Sequence, residues 1–284
     1  MTQPQTQGAL YIVATPIGNL EDITHRAVRI LREVSLIACE DTRQTRKLLD
    51  HYGIATPTVS YHEHNEAARA EELVHKVEQG ASVAQVSDAG MPGISDPGYR
   101  VIKLAIERGI AVVPIPGPSA LTAALVGSGL PIEAFGFRGF LPAKSGQRRT
   151  MLESLRTMTH TIALYEAPHR IREAMEDVVA ILGPERPVVI ARELTKVHEE
   201  FIRGTAAHVR DLLRDREIKG EITLLIGVGS AITPAASEKT LEQRLREIMR
   251  ERNIDEKAAL KIAAKERGLK KSEAYREFQR LKPR

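Results

Sequence analysis

The sequence predicts an α/β protein. Two domains of alternating strands and helices, residues 8–126 and 134–229, precede a small basic helical module at 238–284. Three observations carry that expectation. Short runs of Val, Ile, Leu and Ala alternate with segments whose apolar residues recur at helical spacing, the pattern of a mainly parallel sheet. The runs end in polar or Gly/Pro-rich elbows, and strand-end loops are where open α/β folds bind ligands. From Glu238 to Arg284 there are 15 Lys and Arg against 9 Asp and Glu, leaving 26 against 28 before it, so the formal charge of +4 resides in the tail.

In the first domain, Leu10–Ala14 is an apolar strand ending at Thr15-Pro-Ile-Gly-Asn19. Residues 24–34 place Ala27, Ile30, Leu31 and Val34 at helical spacing. Leu36–Cys39 is a short strand that runs into Glu40-Asp41-Thr42-Arg43, and the helix after it reaches His51, with Gly53 as its stop. Val59–Tyr61 reads as a strand and Glu66–Gln79 as an amphipathic helix closed by Gly80. Two further strands, from Val83 and from Ile110, end in the elbows Ser87-Asp-Ala-Gly-Met-Pro-Gly-Ile-Ser-Asp-Pro-Gly98 and Pro116-Gly-Pro-Ser-Ala120. These two strands are expected side by side, with glycines in the elbows allowing close backbone approach and prolines holding them rigid.

Gly127-Ser-Gly129 and Pro131 predict a hinge. Phe135–Pro142 opens the second domain as a strand, followed by a helix over Gln147–Arg156. Thr161–Tyr165 is a strand ending in Glu166-Ala-Pro-His-Arg170, and Ile171–Leu182 a helix closed by Gly183. Pro187–Ala191 is a strand ending in Arg192-Glu-Leu-Thr-Lys196, and Glu199–Gly204 is suited to an antiparallel strand. Thr205 caps a helix to Asp215, and Glu221–Gly227 is the last strand. A small-residue linker, Ser230–Ser237, leads to three short helices over Leu241–Arg252, Glu256–Arg267 and Glu273–Leu281. Asp255 and Ser272 suit their N-caps, Gly268 ends the middle one, and the set is helix-turn-helix-like.

Several function classes are excluded or disfavoured. There is no Gly-x-x-x-x-Gly-Lys-[Ser/Thr] loop, no Gly-x-Gly-x-x-Gly after the first strand and no Gly-x-Ser-x-Gly elbow. The single Cys39, in an apolar run, rules out a disulfide framework and a cysteine metal site. His62-Glu-His64 is the one cluster with metal-like spacing, two imidazoles on one strand face, but it has no third ligand, so no metal is expected. Asn65 is a candidate for a substrate contact or for capping the next helix. With no Trp and few aromatics, an aromatic base-stacking platform is disfavoured. The polar, uncharged start is not a signal peptide, and no apolar run spans a membrane, so the cytoplasm is the expected compartment. A basic tail on a near-neutral body points to an anionic partner such as nucleic acid; the alternative is a solvated helical appendage.

Polar groups gather at the strand ends: Glu40, Asp41 and Arg43; Asp88 and Asp96; Ser119; Glu166, His169 and Arg170; Arg192, Glu193 and Lys196. Each alone reads as well as an ion pair or a cap. Together, in both domains, they outline a small-molecule cleft.

These segments identify a resemblance. Thr15-Pro-Ile-Gly-Asn-Leu20, Cys39-Glu-Asp-Thr-Arg43, the two long elbows, Tyr165-Glu-Ala-Pro-His-Arg170, Ala191-Arg-Glu-Leu-Thr-Lys196 and Lys219-Gly-Glu221 occur in order over residues 8–228. They resemble the tetrapyrrole-methylase-like class of S-adenosylmethionine methyltransferases, and within it the bacterial family that 2′-O-methylates a cytidine in the decoding region of 16S rRNA. The resemblance implies two α/β domains with the methyl donor in the cleft between them, a homodimer, and the small ribosomal subunit as partner. On matching positions it implies donor contacts from Asp88, Met91, Ser119, Ala120, Tyr165, Glu166, Ala191, Gly220, Glu221 and Ile222. A helix N-terminus suits the donor's carboxylate and a nearby carboxylate suits its cationic groups.

The 2′-hydroxyl is a poor nucleophile, so a base or stabilising cation is expected beside it. Glu40, Asp41, Arg43, Arg192 and Lys196 are the candidates, with Arg170 as a further cation, and the residues do not single out one base. Lys257, Lys261, Lys265, Lys270, Lys271 and Arg276 are the expected phosphate contacts of the tail. Two alternatives are a tetrapyrrole methylase, which needs no basic tail, and a non-enzymatic RNA-binding factor, which needs no dense strand-end motifs.

Overall fold

The computed structural model describes residues 8–229 and, beyond them, Leu245, residues 248–250 and residues 254–266. These belong to two compact units, one up to Gly229 and one from Ser230. The first unit contains two five-stranded sheets.

The first sheet holds β1 (Ala9–Val13), β2 (Leu36–Cys39), β3 (Thr58–Ser60), β4 (Val83–Gln85) and β5 (Ala111–Ile115) in the order β3-β2-β4-β1-β5. Every pairing is parallel. The strands after Val83 and Ile110 are therefore not side by side as expected; β1 lies between them. Alternation along β1 serves both faces. Tyr11 and Val13 point to a core shared with α1 (His25–Glu33) and α2 (Thr42–His51), while Leu10 and Ile12 point to α3 (Glu66–Glu78) and α4 (Tyr99–Glu107). Helix α1 starts where Thr24 Oγ1 accepts the Ala27 amide at 3.1 Å, and it buries the stripe Ala27, Ile30 and Leu31.

Helix α5 (Ala120–Ser128) joins the two sheets. It runs through the expected hinge, so Gly127 and Ser128 are helical and only Gly129, at φ 76°, makes the turn. A Cβ on Gly127 would enter the ring of Phe201, so the glycine is there for close packing.

The second sheet holds β6 (Phe135–Phe140), β7 (Thr161–Glu166), β8 (Pro187–Arg192), β9 (Glu200–Thr205) and β10 (Ile222–Ile226) in the order β6-β7-β10-β8-β9. Only β6 and β7 pair in parallel; the other three pairings are antiparallel. Ile162, Leu164 and Leu224 face the core under α6 (Ser145–Ser154), α7 (Ile171–Leu182) and α8 (Ala206–Leu213). Ala163, Ala191 and Leu225 face the other way, onto Leu121, Ala124 and Leu125 of α5. One helix thus covers the second sheet's inner face while its N-terminus follows directly from the first sheet.

In the second unit, α9 (Glu256–Glu266) is the described helix; Asp255 caps it through an Oδ1 contact to the Ala258 amide at 2.7 Å. Leu260 and Ala263 pack with Leu245 and Ile248 in a core of their own. The expected linker 230–237, most of the first expected helix, Gly268, Ser272 and the helix over 273–281 lie outside the described residues.

Candidate active site

The strand ends of both sheets surround a cavity of about 390 Å³. The first-sheet side is built by three loops tied to one another. Thr15, after β1, exchanges backbone hydrogen bonds with Gly90, after β4, at 2.9 and 3.0 Å, and Thr15 Oγ1 donates to the Ser87 carbonyl at 3.0 Å. Gly90 has φ 82°, in the left-handed region where glycine fits without strain. The loop after β5 delivers Ser119, the N-cap of α5, whose side chain makes no capping bond. The amides of the first helical turn have no partners inside the helix, which makes this end a receptor for a negative group.

The second-sheet side comes from β7, β8 and the residues around the start of β10. Tyr165 is packed edge-on against Phe137 and Phe140, with ring centroids 5.0 and 5.5 Å away. Glu166 is 2 % exposed; its Oε1 accepts from the Ala167 amide at 2.7 Å and from Arg170 Nε at 3.0 Å. Its other oxygen, Oε2, is buried without a hydrogen-bond partner. Gly220 (φ 86°) brings Glu221 and Ile222 to the wall, and its missing Cβ leaves room for Glu193.

All ten residues expected to contact the donor line this one cavity: Asp88, Met91, Ser119, Ala120, Tyr165, Glu166, Ala191, Gly220, Glu221 and Ile222. The five expected catalytic groups do not. Asp41 and Lys196 bond wall residues, and the others lie further from the wall. The Asp41 amide donates to Asp88 Oδ1 at 3.1 Å, and Arg43 grips Asp41 through Nη2–Oδ2 at 2.8 Å. That ion pair holds the Asp41 carboxyl down at about 2. Glu40 carries a raised pKa from burial, then from Asp88. Lys196 Nζ bridges Glu193 at 2.8 Å and the wall residue Glu221 at 3.0 Å, and its stem fills the space over Gly18. Arg192 gives Nε to Glu200, Nη1 to the Lys219 carbonyl and Nη2 to the His198 carbonyl, so each of its nitrogens has a protein acceptor.

Asp96, which the sequence placed in the elbow without assigning it a contact, also lines the cavity. Burial, then Glu40 and Asp88, push its carboxyl up to about 6. Ile17, Phe140 and Leu194 add to the apolar wall; Ile17 and Leu194 fall within the segments Thr15–Leu20 and Ala191–Lys196 without having been assigned a contact, and Phe140 lies in no quoted segment. His62 and His64 lie in a turn after β3, not on a strand face. Asn65 does not cap α3 with its side chain; it holds that turn by accepting from the His62 amide at 2.9 Å. Of the expected phosphate contacts, Lys261 is exposed on α9; Lys257 and Lys265 are on the same helix with side chains outside the description, and Lys270, Lys271 and Arg276 lie outside the described residues.

Residues 9–210 match the family described as Tetrapyrrole (Corrin/Porphyrin) Methylases. A protein of Halalkalibacterium halodurans called Ribosomal RNA small subunit methyltransferase I is 47 % identical over 279 residues, covering 96 % of this chain and 95 % of that one. The chain belongs to this family of small-subunit methyltransferases. The protein of the same name from Escherichia coli O157:H7 is 43 % identical over 276 residues, 95 % of this chain and 94 % of its own. Among solved structures, uroporphyrin-III C-methyltransferase from Thermus thermophilus complexed with S-adenosyl homocysteine shares the fold, with a TM-score of 0.55 at 17 % identity over 78 % of this chain and 97 % of that one.

The family's cofactor is S-adenosylmethionine. The cavity fits it on three counts. Its volume is within the range of small-ligand sites. The N-terminus of α5 offers amides to a carboxylate. The orphaned Glu166 Oε2 and the carboxylates of Asp88 and Asp96 offer acceptors to an amino or cationic group.

Proposed function

We propose that this protein methylates the 2′-hydroxyl of a cytidine in the decoding region of 16S rRNA, acting on the small ribosomal subunit as a cytoplasmic homodimer. The observation that carries the reading is the extent of similarity. Most relatives named for ribosomal RNA match 95–98 % of the chain, into the basic C-terminal segment, and two match 85 and 77 %, whereas the porphyrin methyltransferase aligns with 78 % of it. A tetrapyrrole substrate gives no use for the additional residues, and an RNA backbone does.

When bound, S-adenosylmethionine supplies an electrophilic methyl group. The chain's own residues orient and exclude water. In this reading Ser119 and Ala120 receive the donor's carboxylate at the start of α5, and Glu166, Ala191 and Ile222 hold its nucleoside end. Tyr165, braced by Phe137 and Phe140, closes the wall between them. Alignment of the ribose oxygen with the methyl group would then provide much of the rate, the O–C bond forming as the S–C bond breaks and the hydroxyl proton passing to solvent. Glu40, Asp41, Arg43, Arg192 and Lys196 act as positioning residues, because none lines the cavity while Asp41 and Lys196 bond its wall residues Asp88 and Glu221. The tail lysines and Arg276 hold phosphate.

Mass spectrometry of rRNA from cells lacking the protein tests the proposal. Loss of one 2′-O-methylcytidine, restored by the gene and by incubating purified small subunits with the protein and donor, is the expected result. An unchanged modification map, or transfer to a porphyrinogen instead of RNA, refutes it.

A further inference from the structure

Charge of one sign lines the cavity. Asp88, Asp96, Glu166 and Glu221 are on its wall, and among the described residues no Lys, Arg or His is. Two of the four have a cation already: Glu221 takes Lys196 at 3.0 Å and Glu166 Oε1 takes Arg170 at 2.8 Å. Among the described residues Asp88 receives an amide, that of Asp41, and no cation. Asp96 has no ion pair among the described residues; it faces Glu40 and Asp88 from the first sheet, with Ser87 beside it, and Tyr165 from the second. Glu166 adds a buried oxygen without a partner. Carboxylates crowded in this way resist ionisation, and an arriving cation relieves them. The raised values of Asp96 and Glu40 are in keeping with that strain.

The methyl donor is positively charged at sulfur. Once the methyl group has left, sulfur regains its electron pair and is neutral, while the ammonium, carboxylate and nucleoside are unchanged. The two forms therefore differ in one charge and one methyl group. We propose that Asp88 and Asp96, backed by Glu40, read that charge: they hold the cationic donor and favour release of the neutral thioether product. This rests on the cavity's being the donor site, and adds to it a device for discriminating substrate from product during turnover. A unit charge a few ångströms away in partly solvated protein is enough for a discrimination of about tenfold.

Calorimetric titration of the full-length protein tests this without any turnover. The ligands are S-adenosylmethionine, S-adenosylhomocysteine and the amine analogue in which a protonated C–NH3 group replaces the sulfonium. At pH 7.5 the two cationic ligands are expected to bind about tenfold more tightly than the thioether. The gap should narrow as pH falls from 7 to 5, because protonated Asp96 no longer attracts a cation. Asp96→Asn and Asp88→Asn should each narrow it at pH 7.5 by weakening the cationic ligands more than the thioether. A wild-type protein that binds all three alike at every pH overturns the inference and leaves the donor site standing. So does a gap that neither substitution alters. Failure of all three to bind overturns the donor site as well. The wild-type comparison of ligands and pH values decides the matter even if a variant does not fold.

Discussion

The backbone amide of Asp41 donates to the side chain of Asp88 at 3.1 Å, joining the end of β2 to the end of β4 across one strand-to-strand step. The same Asp41 caps α2 through the Arg43 amide and holds the Arg43 guanidinium. A local capping motif thereby fixes the position of a cavity carboxylate 47 residues away in sequence. Sites built this way respond to changes that do not touch the ligand.

Gly220→Ala is such a change. Gly220 has φ 86°, and an added Cβ would collide with the Glu193 carboxyl group. That carboxyl accepts the Glu221 amide at 3.0 Å and Lys196 at 2.8 Å. The variant should lose about 2 kcal/mol of stability and bind the donor more weakly. Urea unfolding together with donor titration checks both; unchanged unfolding would mean that the loop has another conformation of equal energy.

Arg170→Ala removes the cation from beside the buried Glu166. A carboxylate left alone in such a place is costly, and about 2–3 kcal/mol should be lost. Adding Glu166→Gln should recover part of it, since a neutral amide needs no counter-charge. A double variant no more stable than Arg170→Ala would show that Arg170 acts by packing rather than by charge.

Asp96 makes stability depend on pH. Its folded pKa of about 6 lies above the ordinary 3.8, so the folded state binds the proton more tightly than the unfolded one. That contribution is complete below 3.8 and is lost as pH rises through 6. The shift alone would correspond to about 3 kcal/mol; solvent screening of a partly exposed group reduces this to about 1 kcal/mol. Asp96→Asn should therefore raise the melting temperature at pH 7.5 and have little effect at pH 4. Equal effects at both pH values would exclude ionisation as the cause.

Gly127→Val tests the seat of α5. The new side chain would meet Phe201 of β9 and push the helix off the second sheet, at about 2 kcal/mol. Because Ser119 and Ala120 at the other end of that helix line the cavity, donor affinity should fall with stability. Phe201→Leu in the same chain should restore part of both. Undiminished affinity in the single variant would show that the helix start is held by the first sheet alone.

Much of the fold was legible because its signals are local. Leu36–Cys39 and Ile171–Leu182 have the boundaries the sequence predicts, since an apolar run and a stopping Gly act within a few residues. Gly127 was misleading for the same reason. Glycine marks a hinge in sequence, but here the demand is the approach of Phe201 from 74 residues further along. The antiparallel β9 follows β8 after a short loop and is anticipated at Glu199–Gly204, but the order of the first sheet, with β1 between β4 and β5, and the place of β10 between β7 and β8 depend on which strands meet after long connections, and no local pattern reports that. The expected donor contacts came from motifs and fell on one cavity. The expected catalytic groups were chosen by chemistry and nearness to those motifs. Sequence nearness does not distinguish a wall residue from one just behind it, as Arg192 and Lys196 illustrate.

By itself, then, the sequence determined the alternation of strands and helices, the strand-end elbows, the concentration of positive charge in the tail and the family. Each follows from the composition of short segments. The tertiary structure alone decided that carboxylates from both sheets share one cavity with no wall cation among the described residues, and that Asp96 resists ionisation there. Those properties depend on distances and burial between residues far apart in the chain, which exist only once the two sheets face each other.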